Sequence, residues 1–95
     1  MDDHVDWSRC ETHIWERHRL LVRWAIEAIA DPGAVVWDPD PTSRSGWSIR
    51  IVGNSPGARG LLVVVLVRTA GGLTAASAWR ANSTYQRHYE DRGTP

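Results

Sequence analysis

Residues 47–80, WSIRIVGNSPGARGLLVVVLVRTAGGLTAASAWR, decide the fold. Inside this stretch residues 61–67, LLVVVLV, form an unbroken apolar run bounded by turn signals, which predicts a central strand shielded on most of its length. Before it, Trp47, Ile49 and Ile51 alternate with Ser48, Arg50 and Val52. A period of two buries the first set and turns Arg50 to the opposite face as a directed cation. Ser55-Pro56-Gly57 turns the chain between these two strands. After the run, Gly71-Gly72 supplies a hairpin turn with positive φ available, and a further strand is expected over 73–80, where Ala75, Ala76 and Ala78 leave room for close packing.

Upstream, residues 4–7 (HVDW) alternate weakly and predict a short edge strand. Ser8-x-x-Glu11 has the spacing of a capping box, so a first helix is expected from there to about Arg19. Cys10, Ile14 and Leu21 mark its apolar side. A second stripe at Val22, Ala25, Ile26 and Ile29 follows the i, i+3, i+4, i+7 rule, which places two helices joined near Leu20. Asp31-Pro32-Gly33 stops the second, because Pro fixes φ and removes a donor while Gly accepts a left-handed conformation. Residues 34–37 read as a strand. Residues 38–46 (DPDPTSRSG) have neither a helical nor a strand period and read as a mobile loop. Asn82 or Ser83 caps a last helix, with Gln86 at capping-box spacing from Ser83 and Tyr85 and Tyr89 stacked at i, i+4; after Asp91 a frayed tail is expected. The order is strand, two helices, four strands, one helix: an α+β domain.

With 95 residues the chain holds one domain, and 42% apolar with 23% charged residues keeps it in the globular range. Its longest apolar run is far shorter than the roughly 20 residues a membrane span needs, and MDDHVD at the start is acidic rather than signal-like. A soluble cytoplasmic protein is expected. The lone Cys10 has no bridging partner and no argued base, and reads as a small core residue. His13 and His18 are five apart, not a same-face pair, and neither HExxH nor CxxC occurs, so no metal site is expected. Gly53-Asn54-Ser55-Pro56-Gly57 lacks the Lys and the following helix of a phosphate loop.

Zero net charge hides a division. Residues 1–43 carry four Arg against nine carboxylates, and residues 44–95 carry seven Arg against two; Lys is absent throughout. Clustered guanidinium groups in the second half suit an anion-facing surface, although plain surface charge in an Arg-biased composition reads the same way. The six Trp substitute for the missing Phe. Trp7, Trp24, Trp37 and Trp47 are expected in the core or at its rim. Trp15 lies off the apolar stripe, and Trp79 either offers a platform for a nucleobase or packs against the last helix.

Four strings, taken in order, resemble the BrnT family of toxins. They are His13-Ile14 with Arg17-His18, then Gly60-Leu61-Leu62-Val63-Val64-Val65, then Ser77-Ala78-x-Arg80-Ala81, then Arg87-x-Tyr89-Glu90. The resemblance runs from about residue 5 to residue 91. It implies a single RelE-like domain, with a mostly antiparallel sheet of four to five strands, two N-terminal helices and one C-terminal helix. It also implies a metal- and cofactor-independent endoribonuclease, the toxin of a type II toxin–antitoxin pair, that cleaves RNA, arrests translation and binds a cognate antitoxin. Arg19 stands where the family pattern has Gly. The family's arginine at the start of the third strand falls on Ser48, with Arg50 on the same face two residues later, and its "SAR" arginine falls on Trp79, with Arg80 next.

Metal-independent RNA cleavage needs a base for the 2′-hydroxyl, cations for the phosphate and an acid for the departing 5′-oxygen. Arg50, Arg59, Arg68, Arg80 and Arg87 are the available cations, and Arg50 and Arg80 follow strands beside the expected open face. His88, Tyr89 and Glu90 on the last helix are the proton-transfer candidates. The expected site is therefore Arg50, Arg80, His88, Tyr89 and Glu90 for chemistry, with Arg59, Arg68, Trp79 and Arg87 for RNA binding. Each also has a plainer reading: solvated surface Arg, exposed helix His, a packing Tyr, a solvated Glu. His18, at the end of the first helix, reads as a group bonding its last carbonyls. The alternative to a ribonuclease is a catalytically degenerate relative that binds an antitoxin or nucleic acid.

Overall fold

The structure, a computed structural model, describes residues 5–91. The elements are β1 (Val5–Asp6), α1 (Glu11–His18), α2 (Val22–Ala30), β2 (Val35–Trp37), β3 (Ser48–Ser55), β4 (Gly60–Thr69), β5 (Gly72–Arg80) and α3 (Ser83–Asp91). The strands form one sheet in the order β1-β5-β4-β3-β2, with the valine-rich β4 at its centre. β2, β3, β4 and β5 pair antiparallel, whereas β1 joins β5 in parallel through Val5↔Leu73 and Asp6↔Thr74. This is the α+β class and element order expected from the sequence. Residue 4 of the expected edge strand, and the tail after Asp91, lie outside the described residues.

Pleating sorts the strand residues between two faces. Ile49, Ile51, Leu62, Val64, Leu66, Ala75 and Ala78 meet Ile14 and Leu20 of the α1 region and Ala25 and Ala28 of α2 in the main core. Ile14, Leu20 and Leu62 have no exposed surface, and each contributes roughly 1.5–3 kcal/mol by burial. α2 lies very close to β3, because a Cβ at Gly53 would stand 1.9 Å from the Ala28 carbonyl oxygen. The other face carries a smaller cluster of Val52, Val63 and Ala81 with Trp37, Leu61, Trp79, Tyr85 and Tyr89, beneath α3. Ala76 is the extra residue of a bulge in β5, since Val65 faces Ser77 while Leu66 faces Ala75. That bulge explains how Ala75 and Ala78, three apart, share the main core.

Several local expectations are corrected. Ser8 does not cap α1: its backbone N–H and hydroxyl both donate to Asp6 Oδ1, and the helix begins at Glu11. Leu20, not Leu21, is the fully buried residue of the helix junction, and Ile26 stays 44% exposed while Ala28 turns to the sheet. Gly33 is not left-handed; its N–H donates to Asp31 Oδ1, so an Asx turn ends α2. Trp47 is 56% exposed rather than core. The loop expected to be mobile is tied down by Asp40, which is buried on the sheet and whose N–H donates to the Ser48 carbonyl. Of the two cap candidates for α3, Asn82 holds, its Oδ1 accepting from the Tyr85 N–H, whereas Gln86 bonds the Ala81 carbonyl rather than closing a box with Ser83.

Candidate functional site

On the α3 face a line of aromatic and cationic side chains crosses the sheet. It starts with His88, whose ring meets Trp37 edge-on at 5.5 Å between centroids. Trp37 meets Tyr85 at 6.0 Å, again edge-on. The Arg50 guanidinium then lies 5.8 Å from the Tyr85 ring centre and 5.5 Å from that of Trp79. Each contact follows from a register. Arg50 pairs with Trp37 on one side and Val65 on the other, and Trp79 pairs with Val63, so all sit on the same side of the pleat. Tyr85 reaches the sheet because it occupies the half-buried stripe of α3 that it shares with Tyr89.

Arg50 is the organising cation. Its Nε donates to Asp40 Oδ2 at 2.9 Å, one Nη donates to the Tyr85 hydroxyl and the other to Thr42 Oγ1 at 3.2 Å. A guanidinium has five N–H donors, so two remain for an anion. Its side chain is 18% exposed, against 2% for Asp40. Burial opposes charge on the Asp40 carboxyl, but bonds from the Thr42 N–H and hydroxyl and from Arg50 outweigh it and hold the carboxyl below its ordinary range. Burial likewise opposes charge on Arg50, and Tyr85 and Asp40 more than restore it. The pair is ionised on both sides.

The other expected residues are distributed less favourably. Arg80 does not share the face of Arg50: it pairs with Leu62, a main-core residue, and β5 runs regularly from Ser77 to Arg80, so Trp79 and Arg80 point oppositely. Arg80 Nη1 donates instead to the Ala58 carbonyl. Arg68 is held by Asp38, 2.7 Å from Oδ1. Arg59 is exposed in the β3–β4 turn with φ 60°, and Arg87 and Glu90 are exposed on α3. Tyr89 donates its hydroxyl to Asp31 Oδ2 at 2.6 Å, which pins α3 to the end of α2. Asp31 Oδ2 also receives the Asn54 N–H, so one carboxylate joins α2, β3 and α3.

Four residues of the site were not singled out by motif reading. Asp40 and Thr42 sit in a stretch that reads only as loop; the Asp-Pro-Thr string is an Asx-turn signal, yet nothing local says that it faces Arg50. Trp37, expected in the core or at its rim, is half-buried at the rim. His18 read as a carbonyl cap, but the Ile14 and Trp15 carbonyls accept from the Leu20 and Arg19 backbone N–H groups. Its ring stands 6.0 Å from His13 and 6.5 Å from Trp79.

The opposite face holds a groove of about 840 Å³ lined by apolar residues including Trp7, Ile26, Ile29 and Leu73. Asp38 is its charged residue, and it is engaged by Arg68, so the groove brings no reactive group together. Cys10 is buried, and burial pushes its thiol upward, away from nucleophilic use. Among the described residues no three His, Cys, Asp or Glu side chains gather as a metal site, and no helix is long and apolar enough to cross a membrane.

No protein-family model and no curated protein matches the chain. The α3 face therefore rests on its own geometry.

Proposed function

We propose that this chain is a cytoplasmic RNA-cleaving toxin of a toxin–antitoxin pair, acting through the α3 face of its sheet. The observation that carries the reading is the alignment of His88, Trp37, Tyr85, Arg50 and Trp79 on one face. An arginine with two spare donors between aromatic rings suits a phosphate flanked by stacked bases. His88 then accepts the 2′-hydroxyl proton, the 2′-oxygen attacks phosphorus, and the bond to the 5′-oxygen breaks as that oxygen takes a proton from water. Arg50 stabilises the charge that gathers on the phosphoryl oxygens. An antitoxin segment occupying the same face would block all of these groups at once.

Two observations favour a second reading, a binding module without cleavage. Arg50 is already neutralised by Asp40, and Arg80 lies on the opposite face. Incubating the purified chain with mixed messenger RNA and a chelator separates the two. Cleavage that disappears in a folded Arg50→Gln variant supports the ribonuclease. Binding without cleavage, with cleavage created by Trp79→Arg, supports the degenerate module.

A further inference from the structure

β1 pairs only with Leu73 and Thr74, so the rest of β5, out to Arg80, has no strand on its outer side among the described residues. At the far end of this edge two arginine-bearing surfaces meet. On the α3 face stands Trp79, with Arg50 against it. On the other side lies the last turn of α1, where Arg17 and His18 sit beside the left-handed Arg19. The two surfaces are bridged: His18 lies 6.5 Å from Trp79 and 6.0 Å from His13. Arg19 lies over the ring of Trp15, which is 46% exposed. Arg17 and Arg19 form no ion pair with a carboxylate among the described residues. Arg80, one residue from Trp79, turns the other way, and its Nη1 donates to the Ala58 carbonyl in the β3–β4 turn.

We propose that a single RNA strand crosses this edge, passing from Arg50 and Trp79 over His18 to a phosphate-binding turn made by Arg17 and Arg19. The inference rests on the RNA reading of the α3 face and adds a second half to it. A flexible single strand suits a path that turns over an edge, which a duplex does not. Stacking on Trp79 and His18 tolerates any base, so the track is sequence-tolerant, and the arginines supply the salt-sensitive part of the affinity.

The test is anisotropy of a fluorescent single-stranded RNA oligonucleotide, titrated with the chain across a salt series. The variants are Arg17→Gln/Arg19→Gln, Arg50→Gln, and the control Arg9→Gln/Arg23→Gln, which removes the same charge elsewhere. The α1 pair should weaken binding about tenfold and lower the slope of log affinity against log salt by about 1.4, roughly 0.7 for each lost phosphate contact. The control should change neither by as much. Equal effects of both double variants would reduce the track to net charge and overturn it. Tight binding abolished by Arg50→Gln but untouched by the α1 pair would overturn the track while leaving the α3-face reading intact. No binding by the native chain would overturn both.

Discussion

Asp40 Oδ2 accepts from Arg50 Nε at 2.9 Å, which joins a proline-rich loop to the third strand and aims the guanidinium at Tyr85 and Trp79. A side chain this long loses considerable rotamer freedom when held in one place. Asp40 and Thr42 supply that restraint from one side and Tyr85 from the other. The loop thus positions the cation of the site rather than merely connecting β2 to β3.

Removing Asp40 leaves Arg50 largely buried without its counter-ion. Asp40→Ala should therefore cost about 3 kcal/mol, the lower end expected for breaking a buried pair, because Arg50 retains some solvent contact. Urea unfolding followed by Trp fluorescence measures it. A loss below about 0.5 kcal/mol would mean the pair does not hold the loop.

Acid should act through the same contact. The Asp40 carboxyl is held below its ordinary range when folded, so its stabilisation is present above the unfolded value of about 3.9 and fades as pH falls through the lower folded value. Native stability should drop as pH falls below about 3.9 and on through the lower folded value, and Asp40→Asn should drop less steeply. Parallel profiles for the two proteins would show that Asp40 is not responsible.

Gly53 faces the Ala28 carbonyl oxygen, and backbone cannot swing aside as a side chain can. Gly53→Ala should destabilise by about 3 kcal/mol or more, at or beyond the upper end of ordinary overpacking. Gly71→Ala, in open space, should change stability by less than about 1 kcal/mol. Comparing their denaturation midpoints checks the close seat of α2 on β3.

Arg19 has φ 54° at the end of α1, a conformation that costs a side-chain-bearing residue about 1 kcal/mol and costs glycine little. Arg19→Gly should raise the melting temperature while weakening RNA binding. A variant both less stable and equally able to bind would contradict the roles given to this residue.

α3 buries no residue fully, and its seat depends on Tyr85 to Arg50 and Tyr89 to Asp31. Tyr85→Phe and Tyr89→Phe should each cost about 1 kcal/mol and speed amide exchange in α3 before that in β4. Unchanged α3 exchange in the double variant would place the helix's hold in apolar packing instead.

Element order and strand roles were legible because they follow from local pattern. An apolar run bounded by turns, a period of two over residues 48–52, and Gly71-Gly72 each constrain the backbone where they stand, and the sheet has β4 at its centre accordingly. Parity also carried through: Arg50 is on the face opposite Ile49 and Ile51. Tertiary structure decided what parity could not. Whether Arg80 joins Arg50 depends on where β5 bulges, and the bulge at Ala76 leaves positions 77–80 regular, sending Trp79 to one face and Arg80 to the other. Asp40 and His18 reach the site only because a loop folds back on β3 and a helix ends beside β5. Such contacts join residues distant along the chain, and no local spacing encodes them; Asp40, Thr42 and Tyr85 meet around Arg50 only once the sheet is assembled.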